Sequence, residues 1–141
     1  MTDRELLALI QGDLPPYARN LAMQAVSLED GAPILALDFD TSVEGRPGFL
    51  HGGAIGGLLE VAGFAALRCQ TSRDGLMVAL KPINFSIEYL RGAGRERTYA
   101  RGQINRAGRR NANIMVEAWQ GDRAAPVAEA VMNILIVPVG S

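Results

Sequence analysis

Hydrophobic and polar positions change their period along the chain, and the changes mark its elements. From Lys81 the period is two, with Ile83, Phe85, Ile87 and Tyr89 on one side and Asn84, Ser86 and Glu88 on the other. That alternation predicts a strand with one buried face. Three further strand candidates follow, at residues 98–105, 111–119 and 127–137, separated by the turns Arg106-Ala107-Gly108 and Gly121-Asp122. Together they predict an antiparallel meander in the second half of the chain. Upstream, the sixteen residues 52–67 are all Gly or apolar except Glu60, and Ala and Leu prevail over β-branched side chains. This segment predicts a helix buried on all sides.

The N-terminal part is shorter in its patterns. Thr2-Asp3-Arg4-Glu5 has the spacing of a capping box, and Leu6, Leu7 and Ile10 add an apolar stripe that stops at Gly12, so a small helix is expected. Beyond Pro15-Pro16, strand-like runs at 21–28 and 34–39 flank the turn-rich Glu29-Asp30-Gly31-Ala32-Pro33, a hairpin pattern. No helix separates the late strands, so parallel crossovers have no room and an α+β fold follows. A curled antiparallel sheet wrapped around the long helix would cover it, and dimerisation would protect the sheet edges.

The chain has 141 residues, 15.1 kDa and 48% hydrophobic content, which predicts one domain over residues 1–141 with a substantial core. The acidic opening MTDRELLALI does not read as a signal peptide, so a cytoplasmic location is the expectation. Glu60 interrupts the best membrane-span candidate, and no span is expected. The lone Cys69 and lone His51 supply neither a disulfide nor a zinc cluster, and no metal site is expected. The net charge of −1 hides an asymmetry: residues 1–60 hold 3 Arg and 9 acids, residues 61–141 hold 11 Lys/Arg and 6 acids. Residues 91–110 carry seven Arg against one Glu, which suits either a polyanionic ligand or a solvated strand face. Aromatic residues make up only 6%, so stacking platforms for nucleic acid are scarce and no nucleic-acid partner is expected. G-x-S-x-G, P-loop and Rossmann glycine patterns are missing from the sequence.

Glu60 demands a reason, because an ionised carboxylate in an apolar segment costs several kcal/mol unless paired, hydrogen-bonded or protonated. Its helical neighbours are Gly56, Gly57, Gly63 and Phe64. Three interior glycines cost roughly 3 kcal/mol against Ala, which either close helix packing or the approach of a ligand to Glu60 over Gly56, Gly57 and Phe64 would justify. A buried salt bridge to an Arg is the alternative role for the carboxylate.

His51-Gly52-Gly53 stands just before the helix, where free N–H groups and the positive dipole end collect. Gly52 and Gly53 suit charge developing on a carbonyl oxygen; His51 suits either capping or proton transfer. At about 1.5 Å per residue, Gly52 and Glu60 of one chain lie on the order of 12 Å apart along the helix. One chain cannot easily bring both to one carbonyl, so a homodimer with shared sites is expected, and a dimer of dimers is compatible with it.

GRPGFLHGGAIGGLLE, from Gly45 to Glu60, resembles the HGG-containing core of hot-dog-fold acyl-CoA thioesterases, the 4-hydroxybenzoyl-CoA and phenylacetate-degradation group. INFSIEYLRGAG and INRAGRRNA resemble the family's strand after the helix and a basic turn. The resemblance implies a curled sheet around a central helix, thioester hydrolysis with Glu60 as general base or nucleophile, and an oxyanion N–H from Gly52. It also implies contacts from Arg109 and Arg110 to coenzyme A, which is part of the substrate and the only cofactor-like group expected. Two positions depart from the family pattern. Gly45 stands where an Asn or Gln is common, and Pro82 where a Ser or Thr is common, leaving Arg46 or Ser86 as possible substitutes. The alternative function is a non-catalytic acyl-CoA-binding protein; a hydratase would need a different spacing from histidine to acid.

Overall fold

The computed structural model describes residues 1–139. The N-terminal helix α1 (Asp3–Gly12) is capped as its sequence predicts, with the Thr2 side chain accepting from the Glu5 N–H at 3.1 Å. Its buried Leu6 and Ile10 face the core. A second helix, α2 (Pro16–Asn20), was not anticipated from the hydrophobic pattern. Its five residues are too short to show a period, and Pro15-Pro16 suggested only a break; Pro16 instead starts the helix, where its missing N–H costs nothing.

Strands β1 (Gln24–Glu29) and β2 (Ala32–Leu37) form the expected hairpin. Its two-residue turn, Asp30-Gly31, has positive φ at both positions, 46° and 81°, the conformation that matches strand twist and that Asp-Gly tolerates. A 3-10 turn (Thr41–Val43) leads to α3 (Gly52–Arg73), which is followed by β3 (Val78–Tyr89), β4 (Thr98–Ala107), β5 (Asn111–Trp119) and β6 (Ala128–Pro138). All six strands join one antiparallel sheet in the order β1-β2-β4-β5-β6-β3. The meander is therefore confined to β4, β5 and β6: β3 does not pair with its successor but crosses to the far side of β6, while β4 pairs with β2. Sequence adjacency suggested otherwise, but the long loop between β3 and β4 permits the crossing.

The sheet curls around α3 as the hot-dog fold requires. Its inner face supplies Ala100, Ile114, Val116, Met132 and Ile134 to one core cluster with Leu58, Leu59, Ala62 and Leu67 of the helix. The approach of β4 is backbone against backbone, since a β-carbon at Gly102 would lie 3.0 Å from the Gly63 Cα and 3.1 Å from the Ala62 carbonyl oxygen. By length and composition α3 could cross a membrane, yet 67% of its most apolar window is buried within this fold. On the outer face a ladder of side-chain hydrogen bonds links Asn105, Asn113, Asn133 and Asn84 across four strands. A bulge between Pro82 and Asn84 shifts the inner face of β3. Phe85 and Ile87 pack on the core as predicted, but Ile83 and Tyr89, the other two of the expected buried face, are exposed.

The helix is not buried all round in the single chain. Gly53, Gly57, Glu60, Phe64 and Arg68 follow one another at helical spacing and are exposed or half-buried, forming an open stripe. Glu60 lies on it, so the expectation of a buried carboxylate does not hold for one chain. An unbroken run of apolar letters hides such a stripe because glycines carry no polarity to reveal it.

Candidate active site

At its N-terminus α3 begins beneath the histidine. His51 is the N-cap, and its Nδ1 accepts the Gly53 N–H at 2.8 Å. An accepting Nδ1 places the neutral ring's proton on Nε2. The capping role of His51 is thereby realised, and it removes Gly53 as a free donor. The Gly52 N–H, at the first helical position, has no acceptor among the described residues, as expected where intrahelical bonding has not begun. The Gly52 carbonyl accepts the Tyr89 hydroxyl at 2.9 Å. Around Gly52 a recess of about 500 Å³ is lined by Arg46, Phe49, His51, Ile55, Tyr89 and Arg91, among others. The Arg46 guanidinium rests 4.1 Å over the Phe49 ring.

Gly45 faces this same histidine. A β-carbon there would stand 3.1 Å from the His51 Cα, so the loop is closed at the position where the resemblance leads one to expect an amide side chain. Ser86 cannot replace it. It pairs with the exposed Val131, whereas the neighbouring Met132 and Ala130 are buried, so Ser86 is on the sheet face turned away from α3. Pro82 is exposed on β3. Of the two substitutes, only Arg46 reaches the recess.

Glu60 lines a different recess, of about 290 Å³, with Ile10, Leu14, Val61, Phe64, Arg68 and Leu80. The two recesses share no lining residue, in keeping with the axial separation of Gly52 and Glu60. The salt-bridge role for Glu60 is not realised: the nearby Arg68 pairs with Asp13 at 3.5 Å and donates to the Val78 carbonyl at 2.9 Å. Glu60 makes no ion pair or side-chain hydrogen bond among the described residues and is exposed.

The glycines beside Glu60 do not leave open surface, as the sequence suggested; each is filled by a neighbour. A β-carbon at Gly56 would lie 2.9 Å from Ile87 Cδ1, and one at Gly63 would strike the Met132 sulfur and approach Val116 at 3.1 Å. Close packing accounts for both. At Gly57 the space is taken by the ring of Tyr17, a residue that no sequence pattern places there. Phe64 is half-buried and does line the Glu60 recess.

Much of the arginine-rich segment is paired: Arg95 with Glu44, Arg97 with Asp38 and Arg101 with Glu29. This is the solvated-face role for Arg95 and Arg97, whereas Arg101 is largely buried and also donates to the Glu29 carbonyl. Arg106, Arg109 and Arg110 are exposed around the β4–β5 turn and form no ion pair among the described residues. The Arg110 carbonyl accepts from the Ile136 N–H, and Ile136 pairs with Leu80. The basic turn therefore stands at the end of the sheet where Leu80 lines the Glu60 recess. Among other candidate nucleophiles, Cys69 is fully buried, and burial pushes its thiol up to about 11 against a smaller opposing effect of Arg73. A thiol so placed stays protonated and inert. Among the described residues no cluster of His, Cys, Asp and Glu could hold a metal.

The fold is shared with solved structures. A Chromobacterium violaceum protein is 33% identical, covering 98% of this chain and 94% of its own, with a TM-score of 0.74. A mutant thioesterase of Pseudomonas aeruginosa is 21% identical over 99% of this chain and 96% of its own, with a TM-score of 0.82. A mutant phenylacetic acid degradation protein PaaI from Thermus thermophilus is 20% identical over 86% and 98%, with a TM-score of 0.73. No curated protein matches the sequence significantly. The model of the thioesterase superfamily matches residues 47–127, more than half of the chain, a span that runs from the HGG turn through α3 to the start of β6. With the helix-wrapping sheet and the HGG turn in place, the match settles the family: this chain belongs to the thioesterase superfamily.

Proposed function

We propose that the protein hydrolyses an acyl-CoA thioester, with Glu60 as general base and the Gly52 N–H as oxyanion donor. The observation that carries this reading is the pairing of two groups unengaged among the described residues: a carboxylate open to solvent, and a helix N-terminal N–H without an acceptor. Glu60 takes a proton from water as the water oxygen attacks the carbonyl carbon. The Gly52 N–H steadies the oxyanion, the C–S bond breaks, and the thiolate recovers the proton from Glu60. Direct attack by Glu60 is the alternative route: it expels the thiolate to form a mixed anhydride, and water that opens the anhydride at the Glu60 carbonyl carbon leaves solvent oxygen label in the Glu60 carboxylate, which base catalysis does not.

The two groups belong to separate recesses of one chain, so the proposed site combines two subunits. β3 is an edge of the sheet. Its Leu80 end borders the Glu60 recess, and its Tyr89 end borders the Gly52 recess. Antiparallel pairing of β3 with a second copy of itself sets the Leu80 end of one chain beside the Tyr89 end of the other. Each Glu60 is thus carried toward the other chain's Gly52, and the exposed edge is covered. The exposed Arg109 and Arg110 are assigned to the coenzyme A phosphates, which arginine binds through paired, charge-assisted hydrogen bonds.

A second reading, acyl-CoA binding without turnover, draws support from the closed Gly45 position and the outward Ser86. Thiol release from a panel of short, aromatic and long-chain acyl-CoAs separates the two. Turnover is expected for the wild type, with a loss of about 10²- to 10⁴-fold for Glu60→Gln at unchanged fold. Undiminished turnover by folded Glu60→Gln protein would refute the assignment of the base; tight binding without any thiol release would favour the second reading.

A further inference from the structure

Tyr17 brings a phenolic hydroxyl to the stripe of α3 that carries Glu60. The residue is held firmly from behind: Pro15 and Pro16 precede it, Ala18 is fully buried, and Arg19 Nε donates to the Leu14 carbonyl at 2.9 Å. Its ring fills the notch that Gly57 leaves, since a β-carbon at Gly57 would come within 2.6 Å of Tyr17 Cε2 and 2.8 Å of Cζ, with the hydroxyl oxygen against it too. Residues three apart on a helix are neighbours, with β-carbons about 5–6 Å apart. The phenol at Gly57 therefore stands one helical step from Glu60 on the same stripe, at the border of the Glu60 recess that Pro15 lines. Tyr17 is 47% exposed, and its hydroxyl has no hydrogen-bond partner among the described residues. Packing in the notch explains the ring but leaves the hydroxyl without a task, and Glu60 beside it is equally unengaged.

We propose that Tyr17 is a catalytic residue that holds the hydrolytic water against Glu60; this rests on the reading of Glu60 as the base. The water donates one hydrogen to the carboxylate and the other to the phenolic oxygen, which leaves a lone pair aimed at the carbonyl carbon. As the C–O bond forms, Glu60 takes the first proton. As the C–S bond breaks, that proton passes to the thiolate, and Tyr17 keeps its own throughout. A hydroxyl from α2 thereby supplies the polar assistance that Gly45 and Pro82 do not provide.

The test uses the full chain and an acyl-CoA that the wild type cleaves, with Tyr17→Phe, Glu60→Gln and the double variant. Tyr17→Phe keeps the ring that fills the notch and removes only a hydroxyl with no hydrogen-bond partner among the described residues, so its melting temperature is expected to match the wild type. Its kcat is expected to fall roughly 10- to 100-fold with KM within about twofold. In the Glu60→Gln background the same substitution is expected to cost nothing further, because residues acting on one water act as a unit. The role is overturned if Tyr17→Phe keeps its kcat, if the full loss recurs in the Glu60→Gln background, or if the loss comes with a lowered melting temperature. Absence of wild-type turnover on every thioester tried, or turnover indifferent to Glu60→Gln, would instead remove the thioesterase reading and this role with it.

Discussion

Tyr89 donates its hydroxyl to the Gly52 carbonyl at 2.9 Å, fastening the first residue of α3 to the last residue of β3. The bond fixes the peptide next to the proposed oxyanion N–H and links it to the strand whose open edge is proposed to meet the second subunit. Tyr89 is 55% exposed, so the bond adds little to stability, at most about 1 kcal/mol. Tyr89→Phe is therefore expected to leave the melting temperature nearly unchanged and to lower kcat several-fold with KM little altered. Steady-state kinetics beside a thermal melt check this, and an unchanged kcat would mean that Gly52 is oriented without the phenol.

The glycines of α3 divide by what they touch. Gly63 meets Met132, Val116 and the backbone of Gly102, all deep in the core and away from either recess. Gly63→Ala must displace Met132 or push the helix from β5 and β6, and overpacking of this kind costs typically about 1–3 kcal/mol. Denaturant unfolding should show that loss, while kcat per folded molecule stays near the wild-type value. A stability equal to the wild type would mean that the Met132 side chain yields freely.

Arg109 and Arg110 have no acidic partner among the described residues at the sheet end that carries Leu80. Arg109→Ala is expected to raise KM for acyl-CoA several-fold, the more so at low salt, and to leave kcat unchanged. A truncated thioester lacking the nucleotide should be cleaved as by the wild type. Equal effects on both substrates would show that the substitution disturbs the reacting centre instead.

The elements with long patterns were legible in the sequence. The capping box of α1, the Asp-Gly turn and the strands β4 to β6 appear within a residue or two of their expected bounds, because each is set by local chemistry or by a period sustained over several residues. The pairing of β3 with β6 was not legible, since strand order depends on how the sheet closes around α3 and not on any local signal. At the candidate site, the sequence singled out Glu60, Gly52 and His51. It did not show that Glu60 is exposed or that His51 engages Gly53. It also gave no hint of Tyr17, whose position depends on a five-residue helix docking into the notch at Gly57.

The central claim is that each site joins Gly52 of one chain to Glu60 of another. Gly52→Val places branched carbons beside the Tyr89 ring, where even a first β-carbon would lie 3.5 Å away, and so disturbs the oxyanion end; Glu60→Gln removes the base. Each variant alone is expected to release almost no thiol. Denatured together in equal amounts and refolded, they form hybrid dimers with one intact site each; if copies pair at random, about half of the dimers are hybrid, and about a quarter of wild-type activity should return. Thiol release that stays at the level of the separate variants, from a mixture shown to have exchanged subunits, would contradict the shared site.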